Sequence, residues 1–369
     1  MKKVGYDAQA LLIPSGGTGK GKQLQNLLGP FADRFLGFAS TDRNVSGLPL
    51  IQHGFAGYSL WQQVSLPRLL SRYRIDLFLA PANVAPRFVP RKTDVILVLH
   101  DMIYMQGFRK PDLKGRLMDA YRRWQIRYSV RRARIVLTVS QHARGEILEM
   151  FPRADVRVIP CSVPEIWFAP RPLNERPGYL LMTTSSAPHK NSDGGIKGFA
   201  EYARIAGPDA RPLRIIGMGR QAAGYQPFLE QNNIAHLVTF LPFQSETEMI
   251  EQYRGAAALL FPSFAEGFGI PMLEAMATGT PIIAANTTSL PEVGGAAARY
   301  FDPYNIHEMA IAIKGVLEDD ALREQMALKG FAELERYAPA QVQAQVIAFW
   351  EEIAKLTSED LSKAVVTTR

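Results

Sequence analysis

The sequence predicts a two-domain α/β protein built on parallel sheets, and three observations predict it. Short apolar runs of strand length alternate with helical patterns along the chain, the signature of strands joined by crossover helices. The 369 residues exceed what one ordinary core serves and suit two domains of about 150–200 residues each. A stretch without helical period holds Pro160, Pro164, Pro170, Pro172 and Pro177, and reads as the linker between them.

In chain order, the strands expected in the first half are Leu77–Ala80, Val95–Leu99, Ile135–Val139 and Val156–Pro160. In the second half they are Tyr179–Thr183, Leu213–Ile216, Val238–Leu241, Ala257–Phe261 and Pro281–Ala284. Helices are expected over Leu113–Arg132, His142–Met150, Ser192–Ala206, Ser245–Tyr253, Met272–Ala277 and Pro339–Lys355. The polar tail after Leu356 is expected to fray.

Composition narrows the class. Hydrophobic residues make up 47% and charged residues 21%, which is ordinary for a globular chain. No apolar run approaches the roughly 20 residues that span a bilayer, and the N-terminus lacks the long apolar core of a signal peptide. Cys161 is the single cysteine, so no internal disulfide or cysteine-based metal site can form, which suits a reducing cytoplasm.

The net charge of +7 calls for a polyanionic partner. The excess is concentrated over residues 107–134 in Arg109, Lys110, Lys114, Arg116, Arg122, Arg123, Arg127, Arg131, Arg132 and Arg134, opposed only by Asp112 and Asp119. Pairing four residues apart cannot balance that segment. With Leu117, Met118, Tyr121, Trp124 and Tyr128 interleaved, it suits an anionic membrane surface; the other reading is a solvated helical face. No basic–aromatic RNA motif or helix-turn-helix pattern accompanies the charge, so nucleic acid is not expected as a partner.

The strongest chemical signal runs from Phe261 to Pro281. A buried strand enters a loop bearing Glu266, Gly267 and Gly269, and a helix opens near Pro271. Ligands of open α/β sheets bind at such strand-to-helix turns, where the amides of Phe268, Gly269 and Ile270 face outward with the helix dipole behind them. Glu266 and Glu274 are bidentate acceptors suited to hydroxyl pairs on one extended ligand. Read generically, they could equally be a loop residue and a favourable charge in the first turn of the helix.

This stretch resembles the E-x7-E segment of retaining GT-B glycosyltransferases of the GT4 type. The resemblance takes in Pro262-Ser263, Glu266–Pro271, Leu273–Ala277, Gly279–Pro281, Ser289–Gly294, Lys190-Asn191 and Leu213–Gly217, and so covers most of the second half. It implies a GT-B fold: two Rossmann-like domains whose parallel sheets face a central cleft. The domains would be residues 1–165 for the acceptor and 166–339 for the nucleotide-sugar donor, with a C-terminal helix in 340–369, carrying Trp350, packed back on the first. It also implies that Glu274 bonds the ribose and Glu266 the donor sugar, that the amides of Phe268–Ile270 hold sugar and phosphates, and that Lys190 sits on the diphosphate. No metal and no cofactor are then required. Many family members carry an arginine five residues before that lysine, where this chain has Ser185; Arg220 is the candidate replacement. Phe243 lies where the family approaches the nucleobase, and reads equally as a core aromatic.

The first half follows the same order more loosely. The glycine-rich stretch from Gly16 to Lys22 is neither a P-loop, which would need glycine at Pro14, nor a dinucleotide fingerprint, since Asp33 and Asp42 are misplaced. It resembles the family's first loop and helix, in which Gly19 and Gly21 line the donor cleft; the alternative is a surface loop. A buried strand ends in His100 and Asp101, a pair the family uses at the donor sugar.

The resemblance therefore implies a retaining hexosyltransferase working with a nucleotide-sugar donor. Trp61, Pro67, Pro81-Ala-Asn83 and His100-Asp101 look like bacterial polysaccharide mannosyltransferases, which places GDP-mannose first and a UDP-hexose second. The acceptor would be a glycan or a polyprenyl-diphosphate-linked sugar, and the enzyme cytoplasmic, peripheral on the inner face of the membrane. A nucleotide-sugar epimerase of the same fold is the competing reading.

Overall fold

The computed structural model describes residues 2–11, 19–40, 48–55, 57–105, 113–170 and 178–354. The loop before Gly19, residues 106–112 with Arg109 and Lys110, the linker prolines 172 and 177, and the tail beyond 354 lie outside them. The chain divides into two compact units, one of Met1–Cys161 with Ala340–Arg369, the other of Ser162–Pro339.

Unit 1 is a seven-stranded sheet whose recorded pairings are all parallel, formed by β1 (Val4–Asp7), β2 (Leu36–Ala39), β3 (Leu50–Gln52), β4 (Leu77–Ala80), β5 (Asp94–Val98), β6 (Ile135–Thr138) and β7 (Val156–Val158), in the order β3-β2-β1-β4-β5-β6-β7. Alternate residues feed opposite faces, as the strand period requires. Leu77, Leu79, Ile96 and Val98 join one core, while Phe78, Ala80, Val95 and Leu97 join the other. Burial on both faces explains why these strands read as continuous apolar runs.

Helix α1 (Gly19–Leu28) covers the first face together with α13 (Pro339–Ala354), which returns from the far end of the chain. Trp350 anchors that return. It is fully buried, its Nε1–H donates to the Leu27 carbonyl at 2.7 Å, and its ring meets Phe35 edge-on at 4.8 Å. The second face carries a π-helical turn over Trp61–Ser65, entered from the exposed α2 (Tyr58–Leu60), with α3 (Leu66–Arg72), α4 (Leu113–Arg132) and α5 (Gln141–Met150).

Unit 2 repeats the plan with β8 (Tyr179–Thr183), β9 (Leu213–Ile216), β10 (Val238–Leu241), β11 (Ala256–Phe261), β12 (Ile282–Ala285) and β13 (Ala298–Phe301), in the order β10-β9-β8-β11-β12-β13. Its helices are α6 (Ser192–Ala206), α7 (Gln226–Gln231), α8 (Glu246–Gly255), α9 (Ile270–Ala277), α10 (Leu290–Gly294), α11 (Ile306–Leu317) and α12 (Asp320–Leu334).

In each sheet the strand order reverses beside the first strand of the unit, between β1 and β4 in unit 1 and between β8 and β11 in unit 2. Carboxyl ends of strands at such reversal points are where α/β sheets leave room for ligands. Among the described residues, no helix is long and apolar enough to cross a membrane.

Candidate functional site

In unit 2 the reversal point is occupied by Lys190 and Glu266. Lys190 follows β8 and Glu266 follows β11; Nζ lies 2.7 Å from Oε1, and the ammonium also stands 5.7 Å from the Phe261 ring centroid. Asn191 fixes this corner. It takes a left-handed backbone (φ 52°) that asparagine tolerates, caps α6 by accepting from the Gly194 amide at 3.2 Å, and donates through Nδ2 to the carbonyls of Pro262 and Pro303.

The Glu266 loop is clamped by hydroxyls from the β12–α10 turn. Thr288 accepts from the Glu266 amide at 3.0 Å, and Ser289 donates to the carbonyls of Glu266 and Phe268. Thr287 donates to the carbonyl of Ser263. Gly269 caps α9 at φ 105°, where a Cβ would meet Leu290 at 2.9 Å, so a side chain there is excluded twice. No described residue accepts from the Phe268 or Gly269 amide, and Ile270, the first residue of α9, has no acceptor within its helix. Three amide donors and the start of α9 thus follow Glu266, the partner of Lys190, in the same loop. The Phe268 ring turns into the core, edge-on to Tyr337 at 5.4 Å, so only its main chain serves this turn.

Glu274 departs from the expected first turn. It lies in the second turn of α9 and is only 7% exposed. The fully buried Tyr253, on α8, donates to its Oε2 at 3.0 Å. Burial first, then the Glu274 charge, holds the Tyr253 phenol well above its ordinary pKa, so it remains a donor. Trp167 packs edge-on to Tyr253 at 5.6 Å and donates from Nε1 to Glu246 at 3.0 Å. A buried carboxylate is thus oriented from behind by a buried phenol.

Arg220 and Phe243 follow β9 and β10 on the same side of the sheet. Both are exposed, and Phe243 at 66% is no core aromatic. Neither has a described contact with Lys190, Glu266 or Glu274. Ser185, at the position of the missing arginine, accepts from the Ala187 amide and from the Ser192 hydroxyl through its carbonyl, a turn-forming role.

Unit 1 presents a second constellation at its own reversal point. His100, just past β5, donates its amide to Asn83 Oδ1 at 2.9 Å, and its Nε2 lies 3.0 Å from the Pro81 carbonyl. A carbonyl only accepts, so Nε2 carries the proton and Nδ1 of the neutral ring is an acceptor. Burial, then the Lys20 charge, lowers the His100 pKa to about 4, so the ring is neutral at physiological pH. Asp101 accepts from the Ile103 amide and acts electrostatically on Lys20. Gly19 and Gly21 are helical. They form the first turn of α1, with Gly21 buried.

A cavity of about 490 Å³ opens at the same place, over the ends of β1 and β4. Asp7, at the end of β1, is buried beneath it, accepting from the Gln9 amide and from the Tyr58 hydroxyl at 3.1 Å. Gln62 Nε2 donates in turn to the Tyr58 oxygen. Burial pushes the Asp7 carboxyl up to about 6, against the lowering effect of its two hydrogen bonds.

The basic helix α4 is more divided than its sequence suggests. Arg132 donates to the carbonyls of Pro90 and Thr93, and Arg134, just beyond, pairs with Asp94 at 2.7 Å. Arg116, Arg127 and Arg131 are exposed. Beside them Tyr121, Trp124 and Tyr128 stack in a row at 6.1 Å spacing, with Arg87 over the Trp124 ring at 5.3 Å. Among the described residues, no group of three or more histidine, cysteine or acidic side chains could hold a metal ion.

Asn191 and Ser289 stand in the motifs of the resemblance without a role attached, and Tyr253, Thr287, Thr288 and the Asp7–Tyr58–Gln62 chain carry no sequence signal of their roles. Their partners lie far along the sequence, 51 residues for Tyr58 and Asp7. The one usable sign was that Asn83 and Asn191 are asparagines at strand ends, where a left-handed backbone is affordable.

Comparison with known proteins accords with this geometry. The family model described as "Glycosyl transferases group 1" matches residues 163–332, and that described as "Glycosyltransferase Family 4" matches residues 26–165. The O-antigen chain mannosyltransferase B of Escherichia coli is 27% identical over 294 residues, 75% of this chain and 74% of its own. The O-antigen chain mannosyltransferase RfbU of Salmonella typhimurium is 30% identical over 230 residues, 62% of each chain. Among solved structures, Anabaena Alr3699/HepE in complex with UDP-glucose is similar with a TM-score of 0.75 over 96% of this chain and 100% of that one. At 17% identity that likeness is one of fold.

Proposed function

The chain belongs to the GT-B glycosyltransferases of the GT4 type, and on that footing we propose that it transfers a hexosyl group, with mannose from GDP-mannose as first choice and a UDP-hexose as second, to a lipid-linked or oligosaccharide acceptor in bacterial surface polysaccharide synthesis. Transfer would retain the anomeric configuration and need no metal. The observation that carries the reading is the meeting of Lys190, Glu266 and the bare amides of the α9 turn at the β8–β11 reversal point.

The chemistry follows from that arrangement. A nucleoside diphosphate leaves as an anion, and a fixed ammonium beside a helix N-terminus stabilises that charge as it develops. Lys190 is held by Glu266 until the diphosphate competes for it, which turns the Glu266 oxygens toward sugar hydroxyls. Glu274, oriented by Tyr253, would accept the ribose hydroxyls. The neutral His100 suits a hydrogen-bond partner for a sugar hydroxyl better than a charged one. No protein nucleophile is assigned, so retention would come from attack on the face the diphosphate leaves. The exposed arginines and stacked aromatics of α4 support attachment to an anionic membrane face, where a lipid-linked acceptor would be found.

A melting panel with GDP, UDP, ADP and their sugars tests the donor. A ligand at about 100 times its dissociation constant stabilises the native state by roughly 2.7 kcal/mol. The cognate sugar nucleotide should then transfer in EDTA with the product anomer unchanged. Isomerised donor without acceptor would point to an epimerase, and no stabilisation by any nucleotide would refute the reading. Flotation on anionic but not neutral vesicles tests the membrane surface.

A further inference from the structure

The cavity of unit 1 is chemically distinctive. Among the described residues its wall combines aromatic side chains (Tyr58, Tyr104 and Tyr121) with the amides Gln62, Asn83 and Gln125 and the cations Lys20 and Arg122, and no described lining side chain is a carboxylate. Aromatic faces and planar amides are what a sugar ring and its hydroxyls need. Two cations without a lining acid are more than a neutral sugar needs.

Three details point to a ligand. Asn83 is 4% exposed, spends its Oδ1 on the His100 amide, and leaves Nδ2 buried with no partner among the described residues. A buried donor without a partner is destabilising, and an incoming acceptor oxygen removes that penalty. Gln62, on the π-helical turn at 61–65, donates to Tyr58, which in turn donates to the buried Asp7; single π turns of this kind often mark functional sites. Burial lowers the Lys20 pKa, Asp101 acts to raise it and Arg122 to lower it, so an anion that entered would stabilise the Lys20 charge. Arg122 is placed over the Tyr104 ring at 5.0 Å, and its contact with Asp119 is long, at 3.9 Å.

We propose that this cavity binds the acceptor through a phosphorylated sugar, the ring lying among Tyr58, Tyr104 and Tyr121, a sugar or phosphate oxygen accepting from Asn83 Nδ2, and the phosphate held by Lys20 and Arg122. The assignment rests on the glycosyltransferase reading and adds to it that the acceptor is anionic next to its sugar. A sugar attached to a lipid through diphosphate and a soluble sugar phosphate share that chemistry. Met118, exposed at the cavity rim on α4, favours a lipid chain leaving there.

The test uses the full chain and three probes: an octyl hexosyl diphosphate, the neutral octyl hexoside and free hexose 1-phosphate. Calorimetry should show the charged octyl probe binding at least tenfold tighter than the neutral one. Arg122→Gln and Lys20→Gln should each reduce that preference fivefold or more, leaving GDP and UDP affinity and the melting temperature unchanged. Asn83→Asp, which keeps the Oδ1 acceptor but replaces the stranded donor, should weaken both phosphorylated probes. Tight binding of free hexose 1-phosphate supports a soluble acceptor; a requirement for the octyl chain supports a lipid. Equal affinity for charged and neutral octyl probes, or displacement of the charged probe by GDP or UDP, overturns the proposal. Failure of every nucleotide to bind would instead sink the glycosyltransferase reading and leave these comparisons standing.

Discussion

Replacing Tyr253 by phenylalanine removes one hydroxyl from a site with no water-exposed surface on the tyrosine. The main bond lost is the 3.0 Å donation to Glu274 Oε2, a charge-assisted bond worth about 1.5–3 kcal/mol, alongside a long 3.5 Å contact with the Thr183 hydroxyl. Ring packing against Trp167 is kept, so no cavity larger than a hydroxyl forms. At roughly 2–4 °C per kcal/mol for a unit of this size, unit 2 should melt about 3–12 °C lower. If Tyr253 serves Glu274, nucleotide affinity should fall roughly tenfold, the equivalent of about 1.4 kcal/mol. Binding is measured by calorimetry at 15 °C, well below melting, with the nucleoside diphosphate and with its 2′,3′-dideoxy analogue. The penalty should be confined to the nucleotide with ribose hydroxyls. An equal penalty for both nucleotides, or none for either, would refute the assignment of Tyr253 as the residue that positions Glu274.

Other outcomes are expected. Glu274→Ala should raise the nucleotide dissociation constant, whereas Glu266→Gln should mainly lower kcat in a transfer assay, because only the second faces the lysine of the diphosphate. Asp7→Asn should stabilise unit 1 at pH 8 and not at pH 4. The folded-state pKa is raised from 3.8 to about 6, so the folded protein favours the protonated acid, and stability is lost as pH rises through that window, by about 3 kcal/mol at most at 1.4 kcal/mol per pH decade. His100 works in the opposite sense, its pKa lowered from 6.5 to about 4, so its contribution is present above pH 6.5 and fades on acidification. Melting curves of D7N against wild type between pH 4 and 8 separate the two. Trp350→Phe should cost unit 1 about 2–4 kcal/mol, combining a stranded Leu27 carbonyl with lost ring volume, read as an early melting transition.

Much of this architecture was legible because it is locally encoded. β4, β8, β9 and β10 occupy the spans their apolar runs predict, and α4 and α6 run over the residues their patterns predict. The misses have physical causes. β1 and β2 carry Gly5 and Gly37, poor strand formers chosen for lack of room. A Cβ at Gly5 would stand 2.8 Å from the Phe38 ring, and one at Gly37 would stand 2.4 Å from Leu50. β3 is three residues long, and β13 is a sheet-edge strand carrying the exposed Arg299. At the site, the loop and its glutamates could be read because glycine, proline and carboxylate follow one another along the chain. The phenol behind Glu274 and the stranded amide of Asn83 could not, since both roles arise only when distant segments meet.

The return of α13 to the first sheet sets an order of events on the ribosome. Chains emerge and fold from the N-terminus by default. Here the middle of the polypeptide, Ser162–Pro339, is complete in itself while the segment synthesised before it still lacks a wall. Until Val342, Val346 and Trp350 arrive, Leu24, Leu27, Phe31 and Phe35 have no cover on that side. Translation arrested just short of Pro339 would leave a finished second half trailing a sticky, chaperone-dependent first one.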